Sequence, residues 1–274
     1  MIKQIAIMRS NIVDSEFVSA SIVKQDAEQD YIALTCTTTG AQTLNFDGLD
    51  VTGGETITVD WGDGNSNEYS GAGARSHDYA GAGTWSIKIT NYLNLTTFNC
   101  GDNKLGCVAG EIGKMTNLTS LYLYSLANVT TGAGEIGALT NLTDLNLRSL
   151  ANVTIGAGEI DSLVKLQTCI LISSDNIAIQ TAFPATIRTI RYENGLSQPN
   201  VDAVLAGLYA DWATFTYATP TLDIAGDGNA APSGVYQDGD PPTTGLEYVY
   251  ELANDPETTG NNVFAITYEG GSAP

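Results

Sequence analysis

Between Asn94 and Val164 the apolar positions recur as a phrase and not as a simple alternation. Asn94-Leu95-Thr96-Thr97-Phe98-Asn99-Cys100 is followed by Asn117-Leu118-Thr119-Ser120-Leu121-Tyr122-Leu123 and by Asn141-Leu142-Thr143-Asp144-Leu145-Asn146-Leu147. Apolar residues stand at the first, fourth and sixth places counted from the leucine. The spacing is 23 and then 24 residues, and Leu166 to Leu171 and Ile187 to Tyr192 continue it after 24 and 21. A repeat of this length predicts a solenoid, in which each turn contributes one short strand and buries its apolar face only against its neighbours. Each turn comes back through Gly-Glu-Ile, at Glu111-Ile112, Glu135-Ile136 and Glu159-Ile160, with Met115, Leu139 and Leu163 as further inward residues. Cys100 and Cys169 fall at inward strand places, where a free thiol acts as a small apolar filler.

Upstream the period is two. Tyr31 to Cys36, Gln42 to Phe46, Glu55 to Trp61 and Thr84 to Thr90 are β-branched or aromatic runs, separated by Gly53-Gly54, Gly62-Asp63-Gly64 and Gly81 to Gly83. This predicts an antiparallel sandwich. Downstream, Val201, Val204, Leu205, Leu208 and Trp212 keep helical spacing, with Pro199 in the first turn and Asp202 near the positive end of the helix dipole. Thr221 to Gly226 predicts a strand, Gly245 to Ala253 a second helix and Asn262 to Tyr268 a closing strand. Such an irregular end covers a final core layer that would otherwise face water. Residues 1–30 stand apart as an N-terminal segment, read either as a short helix from about Ser15 carrying Phe17, Val18, Ile22 and Val23 or as a disordered or strand-like arm. The chain therefore divides into 1–30, 31–91 and 92–274, with the last boundary between Asn91 and Leu95.

Two stretches resemble known families. Val59-Asp60-Trp61-Gly62-Asp63-Gly64, His77-Asp78-Tyr79 and Gly83-Thr84-Trp85-Ser86-Ile87-Lys88-Ile89 are similar to the polycystic-kidney-disease (PKD) type of immunoglobulin-like domain. The LxxLxL strands, with Cys100-Gly101-Asp102-Asn103-Lys104-Leu105 as the continuation, resemble a leucine-rich repeat. In the next two repeats Asn128 and Asn152 come one residue later, which implies a bulged turn. The resemblances imply a multidomain chain: an all-β immunoglobulin-like (PKD-type) sandwich, then a short α/β leucine-rich repeat solenoid with a helical C-terminal cap. They also imply that the strands' non-leucine places point outward on a concave face. One column there is Asn99, Tyr122, Asn146, Ile170 and Arg191, and the next is Gly101, Tyr124, Arg148, Ile172 and Glu193. Asn99, Tyr122, Tyr124, Asn146, Arg148 and Arg191 are the candidate ligand-binding residues. They combine stacking surface, amide groups and a fork donor, which suits a glycan or a protein loop.

Charge narrows the partners. Eleven Lys and Arg against 31 Asp and Glu give a net charge of −20, which repels nucleic-acid phosphates and anionic membrane surfaces. One histidine and four cysteines without a CxxC pair supply too few ligands for a zinc site, and no cofactor is expected. His77 has no nucleophile in a recognisable setting, and the PKD resemblance implies that it belongs to the strand framework. Asp60, Asp63, Asn65, Asn67 and Glu68 are oxygen-rich, but Glu68 stands where a calcium loop of the EF-hand type needs glycine, so the cluster reads as turn chemistry. Five Asn-X-Ser/Thr sequons recur because the repeat recurs.

The start lacks the features of a secretory signal, and no apolar run is long enough to span a bilayer. The pair of modules is similar to those of tailed-phage fibre and decoration proteins and of bacterial surface proteins. It implies a non-enzymatic virion protein on the exposed surface, held to other virion proteins or to a second copy through residues 1–30 and attaching to a host-surface glycan or protein. The alternatives are a bacterial cell-surface adhesin and a glycan-hydrolysing enzyme, although no pattern singles out a catalytic pair of acids.

Overall fold

The computed structural model describes residues 30–274 apart from 175, 227, 240, 255–262 and 274. The expected helix and attachment role of residues 1–30 lie outside the described residues. Residues 31–274 form one compact unit.

The upstream alternation becomes β1 (Tyr31–Thr38), β2 (Gln42–Phe46), β3 (Gly48–Val51), β4 (Ile57–Asp60), β5 (Ser66–Tyr69), β6 (Arg75–Tyr79) and β7 (Gly83–Thr90). In β1, Ile32, Leu34 and Cys36 are buried while Ala33, Thr35 and Thr37 face outward, the period-two arrangement of a half-buried strand. β5, β4, β7 and β1 join antiparallel in that order, and β2 pairs with β6. The three spaced motifs meet in one aromatic stack. Trp61 lies parallel to His77 at 4.7 Å, His77 meets Tyr79 edge-on at 4.7 Å, and Tyr79 stacks on Trp85 at 5.0 Å. Gly62 is obligatory at the turn, because its φ is +80° and a Cβ would come within 2.4 Å of the Ser86 carbonyl oxygen.

The 23- and 24-residue phrases form a β-solenoid of about four turns over residues 97–193. Its long strands are β8 (Leu95–Cys100), β10 (Ser120–Tyr124), β12 (Asp144–Arg148), β14 (Thr168–Ile172) and β16 (Thr189–Glu193). Alternating with them are the short strands β9 (Leu105–Cys107), β11 (Asn128–Val129), β13 (Thr154–Ile155) and β15 (Asn176–Ile177). The long strands pair parallel and in register, so Phe98, Leu121, Leu145, Cys169 and Ile190 form one inward column, and Cys100, Leu123, Leu147, Leu171 and Tyr192 the other. All ten are buried. Burial pushes the Cys100 and Cys169 thiols up to about 12, so both act as apolar filler.

The expected α/β leucine-rich repeat is corrected here. Among the described residues no α-helix returns the chain between β8 and β16. The return segments carry β-branched pairs, Val129-Thr130 and Thr154-Ile155, followed by Gly-Ala-Gly, and each glycine costs about 1 kcal/mol in a helix. Gly110, Gly134 and Gly158, at the equivalent place in three turns, take φ of +97°, +89° and +78°, which breaks any helix there. The return is therefore a short strand and a tight turn.

The recurring Gly-Glu-Ile holds these turns together. Glu135 accepts the N–H groups of Gly110 and Gly132 at 2.6 Å each on one oxygen and that of Gly113 at 3.2 Å on the other. Glu159 repeats the pattern one turn on, with Gly134 and Gly156 at 2.6 Å and Gly137 at 3.1 Å. In the first turn Glu111 accepts the Ala33 N–H of β1 at 2.6 Å and pairs with Lys114 at 2.7 Å. Each carboxylate satisfies backbone donors that the glycine turns would otherwise leave unpaired. Gln180 ends the series, fully buried and donating to the Gly156 and Ala178 carbonyls. The sequon asparagines have a comparable use. Asn117, Asn141 and Asn152 donate to the carbonyls of Leu93, Thr116 and Ala127 in the preceding turn.

Both sheets run across the position at which the sequence placed a boundary. β3 leaves the upstream strands and pairs antiparallel with β8, Leu49 opposite Phe98. β9 pairs antiparallel with β1, Leu105 opposite Cys36, and β11 follows β9. The expected separate immunoglobulin-like sandwich is corrected on this geometry: the upstream strands continue both solenoid sheets and cover their first turn.

At the other end α1 (Gln198–Asp211) buries Val201, Val204, Leu205 and Leu208. It is followed by β17 (Thr221–Ile224), α2 (Gly245–Asn254), β18 (Ala265–Tyr268) and β19 (Gly271–Ser272). β17 and β18 extend the parallel sheet, and β19 turns back antiparallel to end it. Pairing of Thr189 with Thr221 and of Thr221 with Ala265 shows that a helix enters only where the return lengthens. The described fold is predominantly β, 14% helical, and its two described α-helices belong to the C-terminal end.

Candidate binding face of the solenoid

The outward residues of the long strands stand in two ranks. Asn99, Tyr122, Asn146, Ile170, Arg191 and Asp223 are register partners from β8 to β17, and Tyr124, Arg148, Ile172 and Glu193, the last of them buried, are partners from β10 to β16. Neighbours in a rank are about 4.8 Å apart, the interstrand spacing. All six candidate residues lie on this face, half-buried, but the structure gives them different surroundings.

Tyr124, Asn146 and Arg148 come together. With Ser125 and Ser149 they line a depression of about 410 Å³. Arg148 Nε donates to Asn146 Oδ1 at 2.8 Å, which fixes the guanidinium over the depression's floor. Among the described residues no carboxylate lies within 4.0 Å of Arg148. Tyr124 lies across Gly101, where a Cβ would come within 1.8 Å of the ring, and its hydroxyl donates to Asp47. Partial burial and the Asp47 carboxylate push the Tyr124 hydroxyl up to about 12. On the far side of the ring a second depression, about 490 Å³, is lined by Asp47, Gly101, Asp102, Asn103, Tyr124 and Ser125, together with Asn45.

Arg191 is occupied, since Glu193 accepts from its Nε and Asp223 lies at 3.6 Å. Tyr122 and Asn99 stand beside the depressions and line neither. The Asn99 Oδ1 is buried without a hydrogen-bond partner among the described residues, between Gly48 of β3 and Tyr122 of β10.

Sequence reasoning missed Asp47, Gly101 as a bare floor under Tyr124, and the corner serines. Ser125, Ser149 and Ser173 each follow a long strand and take φ of +59°, +54° and +49°, the left-handed conformation that turns the chain at the corner. Their spacing of 24 was visible in the repeat. Asp47 carried no local signal, since it lies 77 residues from Tyr124 and arrives there only because β3 docks on β8.

The other chemistry-bearing residues are engaged. Asp63 accepts from His77 at 2.8 Å and from Asn65 through both oxygens at 3.0 Å. Although desolvation opposes it, these bonds hold the Asp63 carboxyl below its ordinary value. Asp60 accepts the Gly62 N–H and Asn67 the indole N–H of Trp61, so the oxygen-rich cluster serves its turn. Of the two acids in the larger depression, Asp47 holds Tyr124, and Asp102 holds Lys104 at 2.5 Å and the Asn45 N–H at 3.0 Å. Among the described residues no three His, Cys, Asp or Glu side chains gather as a metal site, and no helix is long and apolar enough to cross a membrane.

The face is thus a polar, hydroxyl- and amide-rich surface with one uncompensated guanidinium and one anchored phenol. Neither a family model nor a curated protein matches the chain, so the PKD and leucine-rich repeat resemblances are corrected: the motifs belong to a mostly β chain whose repeat is a β-solenoid.

Proposed function

We propose that this chain is a non-enzymatic attachment protein that presents the outward face of its solenoid to a host-surface glycan or protein. The observation that carries the reading is the depression shared by Tyr124, Asn146 and Arg148, three of the six residues expected to bind, brought together by two adjacent turns. A guanidinium without a carboxylate partner and an aromatic ring beside it are the side chains that anchor binding surfaces. Ile170 and Ile172, half-buried on the next strand, add apolar area beside them.

The setting proposed is the exposed surface of a virion, as a fibre or decoration protein. Residues 1–30 are proposed to join the chain to its particle or to a second copy. Removing them is expected to leave a folded protein, by circular dichroism, that no longer enters the particle or oligomer; unchanged incorporation would rule out this role.

The binding half is tested with Arg148→Ala, inside the depression, combined with Tyr122→Ala, on the same face beside it. Solvated surface changes cost under about 0.5 kcal/mol of stability, whereas loss of an aromatic and arginine anchor costs about 2 kcal/mol of binding. The double variant is expected to keep its Tm and to adsorb to host cells about tenfold more weakly or worse. Equal adsorption would place recognition elsewhere.

A further inference from the structure

We propose that the two depressions flanking Tyr124 are consecutive subsites for a neutral, linear glycan laid along the solenoid axis, an inference that rests on the attachment reading above and narrows it to one ligand class. Tyr124 is a fixed platform between them. Its ring lies over the bare backbone of Gly101 and its hydroxyl is anchored on Asp47, so the ring is oriented before any ligand arrives. A sugar ring gains from stacking on such a platform without the cost of ordering it.

The lining favours a polyhydroxylated ligand. Tyr124 and Ser125 border both depressions, Asn103 and Asp102 lie beyond the ring on one side, and Asn146, Arg148 and Ser149 lie on the other. Amides, hydroxyls and a guanidinium predominate, and a lipid or apolar peptide would leave them desolvated and unpaired. Asn146 already holds Arg148 through Nε, which leaves the terminal guanidinium nitrogens to donate to sugar hydroxyls.

Direction follows from the solenoid. Ser125 and Ser149 occupy the same corner one turn apart, each exposed and each with positive φ. Glycine holds that conformation at lower cost, so a hydroxyl at successive corners is a feature in search of a use. The turns advance about 4.8 Å, close to the length that one pyranose contributes to an extended chain. Hydroxyls one turn apart therefore each reach one of two neighbouring sugars.

Charge selects a neutral polymer. The protein carries −20 overall, and Asp47 and Asp102 border one of the two subsites; an anionic chain would be repelled on approach and again at that subsite.

The test uses the full chain in native gels cast with dextran, β-1,3-glucan, galactomannan or arabinoxylan, and in parallel with alginate or hyaluronan. At least one neutral polymer is expected to retard the wild-type protein, and neither polyanion is. Tyr124→Ala and Arg148→Ala should each weaken retardation about tenfold or more, while Lys165→Ala, outside both depressions, stays within about twofold. If Tyr124→Ala does not fold, Arg148→Ala decides alone. Retention of both variants like the wild type would overturn the location. Stronger retardation by a polyanion than by any neutral polymer would overturn the ligand class. If no polymer retards the protein while host cells still bind it, the glycan inference falls and the attachment reading stands; if neither occurs, both fall.

Discussion

The antiparallel strands of residues 31–91 and the parallel turns that follow bury the same kind of alternating pattern, yet hold their turns in opposite ways. Upstream, each turn is secured once, by side chains found nowhere else: Asp60 on Gly62, Asp63 between Asn65 and His77, Tyr79 on the Trp61 carbonyl at 3.0 Å. In the solenoid one device is repeated. Glu111, Glu135 and Glu159 each tie their own turn to what precedes it. A unique contact specifies one geometry, whereas a repeated one lets turns be stacked and confines damage to neighbours.

Breaking the repeated device should have the larger effect. Glu135→Ala removes the acceptor of three backbone N–H groups in two turns, and the loss is expected to be about 2 to 3 kcal/mol by denaturant unfolding. Hydrogen exchange at Gly110, Gly113 and Gly132 should accelerate more than at the corresponding glycines around Glu159. A uniform change across all turns would contradict the ladder as the connection between neighbours.

Breaking the unique device should cost less and carry a pH signature. His77→Ala removes a ring stacked on Trp61 and the partner of Asp63, for about 1 to 2 kcal/mol. The Asp63 carboxyl lies below its ordinary value of 3.8 in the fold. Its contribution is therefore fully present above that value and is lost as pH falls through the lower folded value. In His77→Ala this acid-side loss should shrink. Parallel acid unfolding curves for wild type and variant would show that the pair contributes nothing.

What the sequence made legible follows the same division. The inward columns Phe98–Leu121–Leu145 and Cys100–Leu123–Leu147 were readable because period and register coincide in a parallel stack. α1 was readable from Val201, Val204, Leu205 and Leu208. The outward ranks followed from the same strands, which is why Tyr124, Asn146 and Arg148 could be placed on one face. LxxLxL did not distinguish a leucine-rich repeat from a β-solenoid, because both place a short parallel strand there; Gly110, Gly134 and Gly158 in the return carried the difference. The docking of β3 on β8 and of β9 on β1 was hidden, since pairing partners that far apart leave no periodicity in either strand. Asp47, and with it the orientation of Tyr124, was hidden for the same reason.

That docking is the account's central claim: residues 31–91 are the N-terminal cover of the solenoid, with β3 on β8 and β9 on β1. Equilibrium unfolding of residues 92–274 alone, beside the whole chain, tests it most directly. Without the upstream strands the fragment exposes Leu95, Phe98 and Leu105, all fully buried in the chain, and leaves the edge of β8 unpaired. The account predicts that the fragment loses cooperative unfolding or aggregates. A cooperative transition at the Tm of the whole chain would show instead that the two regions are independent domains.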